Sequence, residues 1–335
     1  MPTQITRILS GIQPSGKLHI GNYFGAIQQH ISLQDQGDAF YFIADYHALT
    51  TIQDRETLAR LVSDVALDYL GLGLDPEKAL LFRQSDVPEV CELTWLLSTV
   101  TGMGLLERAH SYKDKIARGL RPRAGLFFYP VLMAADILAY HSDVVPVGKD
   151  QVQHIEMTQD MAEAFHAAYG CEVFHRPEGK LSASGAVVPG TDGQKMSKSY
   201  GNTIEIFATG KPLKKTVMSI VTDSLGVDDI KDPEACNVWK LYRLVASPEE
   251  TEEMAQRLRR GGYGYGDAKK ELLAAIDGAF GEARERRAQL QQDMDYVEDV
   301  LVTAGARARA VASQVVGAAR EAVGMASGSQ AARRS

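Results

Sequence analysis

Long apolar runs are missing from this chain of 335 residues. No window approaches ~18 consecutive apolar residues, so no membrane span is expected. The opening MPTQITRILSG has no basic segment followed by an apolar stretch, which argues against a secretory leader. Cysteine is scarce: Cys91, Cys171 and Cys236 lie far apart and form no CxxC pair. A disulfide framework and a zinc site are therefore not expected, and reduced thiols in the cytoplasm are. An excess of basic charge is absent too. Lys and Arg number 36 against 43 Asp and Glu, for a net charge of −7. That excludes non-specific coating of nucleic acid but leaves room for a specific RNA partner met through local basic patches. No internal repeat is visible. What remains is ordinary for a soluble protein, with 45% apolar and 24% charged residues, in a length that suggests about two domains.

Taken in order, RILSGI (Arg7 to Ile12) is a short β-rich run followed by the turn cluster Gln13-Pro14-Ser15-Gly16. Gly21 to Gln34 has apolar residues at helical spacing. DAFYFIA (38–44) suits a strand buried on both faces. Asp54 can cap the helix that stops at Gly71 and Gly73, and ALLFRQS (79–85) is the next strand. This alternation predicts an α/β fold, a Rossmann-like doubly wound parallel sheet. Further helices are expected over 88–106, 126–139 and 151–169, with a short strand at 143–147. From Lys211 onward the strand signals fade and helical periodicity takes over. Ser247-Pro248-Glu249-Glu250 combines an N-cap, a first-turn proline and a capping-box acid. The expected division is a Rossmann-type domain over 1–205 with a helical insertion at about 86–140, a C-terminal all-helical domain over 206–326 and a disordered tail over 327–335.

Two stretches carry chemistry. GIQPSGK (Gly11 to Lys17) has the Gly and Lys positions of a P-loop, with Asp45 as a possible magnesium acid. A P-loop places Ser or Thr next, to ligate magnesium, and this chain has Leu18. The rival reading moves to His19, Gly21 and Asn22. There a helix begins whose amides would face phosphate, Gly21 would let a nucleotide approach the backbone, and His19 would donate to phosphate. KMSKS (Lys195 to Ser199) is the second stretch. It sets two ammonium groups on a loop flanked by Gly190, Gly193 and Gly201, suited to a leaving group that gains charge and to opening and closing over it.

With HIGN near the N-terminus and KMSKS at this distance, the chain resembles the class I aminoacyl-tRNA synthetases. GIQPSGKLHIGNY, YPVLMAADILAY (129–140) and VVPVGKDQVQHIE (144–156) narrow the resemblance to the bacterial-type tryptophanyl-tRNA synthetases. It runs from about residue 7 to 325. It implies ATP contacts from Gln13, Pro14, Ser15, Gly21 and Asn22, from Gly148, Lys149, Asp150 and Gln151, and from Lys195, Met196, Ser197, Lys198 and Ser199. Adenine would lie near Ala186 and Val187. Lys113 matches a lysine that reaches the phosphates, so Lys195, Lys198, Lys113 and His19 are the expected catalytic residues, with Mg²⁺ arriving with ATP and no protein metal site.

The tryptophan-selecting carboxylate corresponds to Asp136. Chemistry favours the same residue independently: indole offers one N–H donor and no acceptor, so its pocket needs one buried acceptor and flat apolar walls. Met133 lies one turn before Asp136, and His47, Tyr129, Val145, Val147 and Gln151 are further pocket candidates. Asn22 replaces the last histidine of the HIGH signature. Lys149 stands where many relatives carry an acid, and Leu9 where many carry an aromatic.

The implied reaction activates L-tryptophan with ATP and passes it to tRNA(Trp), the helical half binding the anticodon through clusters such as Lys211, Lys214 and Lys215, or Arg284, Arg286 and Arg287. A homodimer through residues 85–140 is implied as well. The competing readings are a P-loop NTPase, a tyrosine-specific sister enzyme and a non-catalytic relative. Leu18 and KMSKS oppose the first. Intact Lys195, Lys198, Gln13 and Asp136 oppose the last.

Overall fold

The structure, a computed structural model, describes residues 6–109, 119, 121, 123–148, 151–181 and 188–325. Five parallel strands form one sheet in the order β3-β2-β1-β4-β5. They are β1 (Arg7–Ile12), β2 (Asp38–Ile43), β3 (Ala79–Arg83), β4 (Val144–Val147) and β5 (Glu178–Leu181). Parallel pairing requires long crossovers, and helices supply them. Between β1 and β2 run α1 (Ile20–Asn22), a π-helical turn (Tyr23–Ile27) and α2 (Gln28–Leu33). Then come α3 (Asp45–Ala48), α4 (Arg55–Gly71), α5 (Glu89–Ser98), α6 (Met103–Glu107), α7 (Ala124–Leu138) and α8 (Val152–Tyr169). The helical half contributes α9 (Gly210–Met218), α10 (Asn237–Val245), α11 (Pro248–Arg260), α12 (Tyr265–Leu290) and α13 (Met294–Ala322).

Strand alternation decides which core each side chain joins. On β2, Ala39, Tyr41 and Ile43 face a core shared with α4 and the C-terminal helices. Phe40 and Phe42 face the opposite core, with α5, α7, α8 and the far half of α13. The last helix therefore lies against β3 and α5. Gly305 makes this possible: a Cβ there would stand 2.8 Å from that of Asp86. Arg309 and Arg320 pair with Glu89 and Glu92 along the same seam. On the other face α12 meets α4, where Arg287 binds both Asp68 at 2.5 Å and Asp64 at 2.9 Å.

Three features differ from the expectation. The helix expected over 88–106 breaks into α5 and α6 at Val100-Thr101-Gly102, where Gly102 is extended at φ −71, ψ 139. The helix after the first turn contains a π turn. β5 was not expected at all. Its EGKL sequence is exposed throughout and has no apolar alternation, because it sits on the sheet edge.

His30 sits buried between β1 and α4. Its Nε2 meets Ser10 Oγ at 3.0 Å and its Nδ1 meets Tyr69 Oη at 3.1 Å. Burial lowers its pKa from 6.5 to about 4. The fold therefore holds it neutral while the unfolded chain protonates it. This contribution to stability is complete above pH 6.5 and drains away as pH falls toward 4. Its loss should run at on the order of 1 kcal/mol per pH unit between those limits. Thermal denaturation from pH 7 to pH 5 should show a falling midpoint, and His30→Gln should make that decline shallower. An equal slope in both proteins would remove His30 as a cause.

Candidate active site

The order of strands reverses direction between β1 and β4. The chain moves outward from β1 to β2 and β3, then returns to the other side of β1. Ligands of open α/β sheets bind at such a point, beyond the carboxyl ends of the strands. A cavity of about 450 Å³ opens there. Leu9, Ser10, Gly11 and Gln13 line it from the end of β1, and Val145, Val147 and Gly148 from the end of β4. Met133, Asp136 and Tyr129 enter from α7, His47 from α3, and Gln151 and His154 from the start of α8. The structure thus brings all seven residues expected around indole to one space. Gly11 is required in its wall, since a Cβ would stand 2.5 Å from the Phe42 ring.

Asp136 is 1% exposed, and burial pushes its carboxyl pKa up. Two hydrogen-bond donors oppose that shift. His47 Nε2 approaches Oδ2 at 2.9 Å, and Gln84 Nε2 reaches both oxygens at 2.8 Å. Gln84 was not singled out from the sequence. Its signal was present, however, as a lone amide closing the apolar strand ALLFR at its carboxyl end. The Tyr129 hydroxyl lies 2.7 Å from His154 Nε2. A slot with apolar walls and one buried carboxylate fits a flat ligand that carries a single N–H.

The lysine loop packs across the opening turn. Met196 is buried, and its sulfur lies 3.3 Å from the Gly21 amide. A Cβ on Gly21 would stand 3.2 Å from that of Met196. The glycine thus serves loop packing here. The expected row of free amides at this helix start is also occupied within the chain. Ile20 N–H donates to Ile204 O, and Asn22 N–H donates to His19 O and to its Nδ1 at 3.3 Å. Because Nδ1 accepts, neutral His19 carries its proton on Nε2. Burial and the nearby Lys198 lower the pKa of His19 to about 4 and keep the ring neutral.

Asn202 holds the loop from behind: it accepts from Ser197 N–H and donates to Lys195 O and Asp192. Lys198 Nζ crosses to the Gly16 and Ser15 carbonyls at 2.9 and 3.1 Å. Those carbonyls lie within three residues of Gln13, on the cavity wall. Lys195 and Ser199 are exposed, and Pro14 is buried beneath the turn. Asp45 is no magnesium acid. Its carboxylate accepts from Ser85 Oγ, Ser85 N–H and Tyr46 N–H. Lys113, Lys149, Asp150, Ala186 and Val187 lie outside the described residues, as does the tail.

Several basic residues of the helical half are internal fasteners. Arg257 pairs with Glu271, Arg284 with Asp277, and Arg286 donates to the Gly71 carbonyl. Among the described residues Lys211, Lys214 and Lys215 on α9 are exposed and form no ion pair.

Residues 1–281 match the family described as tRNA synthetases class I (W and Y). The tryptophan–tRNA ligase of Fusobacterium nucleatum is 56% identical over 319 residues, covering 95% of this chain and 98% of that protein. The crystal structure of Campylobacter jejuni tryptophanyl-tRNA synthetase complexed with ADP and tryptophan superposes with a TM-score of 0.92 at 48% identity, covering 95% of this chain and all of that one. An Archaeoglobus fulgidus tyrosyl-tRNA synthetase, at 21% identity and a TM-score of 0.63, shares the fold.

Proposed function

Because the chain belongs to the class I tRNA synthetases of the tryptophan and tyrosine group, we propose that the cavity and the lysine loop are two halves of one activating site. The activity is that of a tryptophan–tRNA ligase. L-tryptophan and ATP give tryptophanyl-AMP and pyrophosphate, and tryptophan then passes to the terminal ribose of tRNA(Trp). The observation that supports tryptophan over tyrosine is that Asp136, buried, is the one carboxylate among the described residues lining the cavity. An indole N–H would donate to it, with Met133, Val145 and Val147 as walls and Tyr129 and Gln151 at the rim.

The substrate carboxylate attacks the α-phosphorus directly, so no enzyme nucleophile is needed. Rate comes from placement and from charge stabilisation as pyrophosphate leaves. Lys198 would move from the turn to the phosphates, where Lys195, which is exposed, and Lys113 would join it. Neutral His19 would donate from Nε2, while Gln13 and the Gly148 segment hold the nucleotide. Among the described residues no group of three His, Cys, Asp or Glu could hold a metal. Mg²⁺ would arrive with the triphosphate of ATP, as the resemblance to this family implies.

The C-terminal helices are assigned to the tRNA anticodon. The free lysines of α9 would meet phosphate, so tRNA affinity should fall as salt rises. Dimer formation is assigned to the 86–140 insertion, where Trp95 is 67% and Met103 59% exposed. No helix among the described residues is long and apolar enough to cross a membrane, and a cytoplasmic location fits a tRNA-charging role. ATP–pyrophosphate exchange with tryptophan and tyrosine side by side tests the activity. Exchange driven by tryptophan alone is expected. Exchange with neither would return the chain to a non-catalytic role.

A further inference from the structure

Gln84 is fully buried at the carboxyl end of β3 and, among the described residues, stands behind the cavity wall and not in it. Its orientation is forced. Helix α3 has Ala44 at its N-cap, which offers no side-chain cap. Gln84 Oε1 caps the first turn instead, accepting from His47 N–H at 3.4 Å and sharing Tyr46 N–H, at 3.1 Å, with Asp45 Oδ1. The amide nitrogen must then face Asp136, where it donates to both oxygens at 2.8 Å.

Two consequences follow. The carboxylate cannot rotate, because one nitrogen spans both its oxygens. The His47 ring, the other donor to Asp136, starts from a helix whose first turn is capped by the same Gln84. A carboxylate has about four acceptor positions. Among the described residues three are filled, two by Gln84 and one by His47, which leaves one on Oδ1. An arginine or lysine in place of Gln84 would satisfy the carboxylate as an ion pair and weaken its demand for another donor. A neutral amide restrains it without adding a compensating charge of its own.

We propose that Gln84 is the positioning residue for tryptophan selection, setting the plane of Asp136 so that its one open acceptor position meets the indole N–H. This rests on the reading that Asp136 takes that N–H. The test is pyrophosphate exchange with tryptophan and with β-(3-benzothienyl)alanine, which carries sulfur in place of N–H. In Gln84→Met the KM for tryptophan should rise about tenfold or more, because a charge-assisted hydrogen bond is misaimed. Its kcat and the KM for the sulfur analogue should change by no more than about threefold, since the slot's shape is kept. A parallel rise for both amino acids, or for neither, would overturn the proposal.

Gln84→Glu supplies a second reading should the Met variant fold poorly. It places two carboxyl groups together, so tryptophan KM should change with pH between about 6 and 9 more steeply than in the parent. A profile unchanged from the parent's would count against the proposal. Asp136→Ala separates the two ideas. If that variant still prefers tryptophan over the sulfur analogue, the carboxylate reading itself has failed. If it loses the preference while Gln84→Met keeps it, only the role of Gln84 falls.

Discussion

Lys198→Ala should slow tryptophan-dependent pyrophosphate exchange by about two orders of magnitude or more, with little change in the KM for tryptophan. The split follows from where the side chain sits. Lys198 Nζ rests on the carbonyls of Ser15 and Gly16, on the turn that joins β1 to α1, and does not line the cavity. Those carbonyls give the ammonium a holding position from which phosphate oxygens, bearing full charge, would draw it away. Its partner in the reaction is the pyrophosphate that gains charge as the bond to the α-phosphorus breaks. An interaction that grows only in the transition state lowers kcat when removed and leaves ground-state amino-acid binding alone. Removing the side chain should also spare the loop, because Met196 and Asn202 anchor it. Lys198→Arg should retain part of the rate, since the charge survives while the geometry changes. An unaltered exchange rate in the alanine variant would take Lys198 out of the chemistry.

How much of this could be read from the chain depends on the kind of physics involved. DAFYFI announced a doubly buried strand because nearly every residue is apolar, and its two faces indeed join two cores. EGKL announced nothing, because an edge strand exposed at every position has no reason to alternate. The carboxylate of Asp136 was legible for a similar reason of contrast: an acid in an apolar helix demands an explanation. Gln84 was harder. A glutamine after FR reads as the polar end of a strand, and only the parallel sheet places that end behind the cavity. Charge runs were least legible. Arg257, Arg284 and Arg287 look alike in sequence to Lys214 and Lys215, yet the arginines are held in ion pairs to Glu271, Asp277 and Asp68. Their partners lie up to a whole domain away along the chain, where no local pattern records them. At the helix start the sequence suggests amides open to phosphate, while in the structure the Gly21 amide faces Met196, from far along the chain.

Asp136→Asn is the sharper of two changes at the pocket floor, because it keeps the shape and inverts half of the hydrogen bonding. Three donors would converge on this group when tryptophan is bound: Gln84 Nε2, His47 Nε2 and the indole N–H. A carboxylate accepts all three, whereas an amide offers one oxygen and turns its NH₂ against at least one donor. Gln84 cannot reverse, since its Oε1 is held by the Tyr46 and His47 amides. The mismatch therefore falls on His47, which can switch tautomer and accept, or on the indole. Each buried donor left unmatched costs about 1–3 kcal/mol. The kcat/KM for tryptophan should accordingly fall by roughly 10- to 100-fold. Asp136→Ala should fall at least as far and also lower the melting temperature, because it strands both protein donors in a buried space. The sulfur analogue should suffer less than tryptophan in both variants, having no N–H to lose. Equal losses for the two amino acids would mean that Asp136 holds the fold of the pocket and does not read the indole.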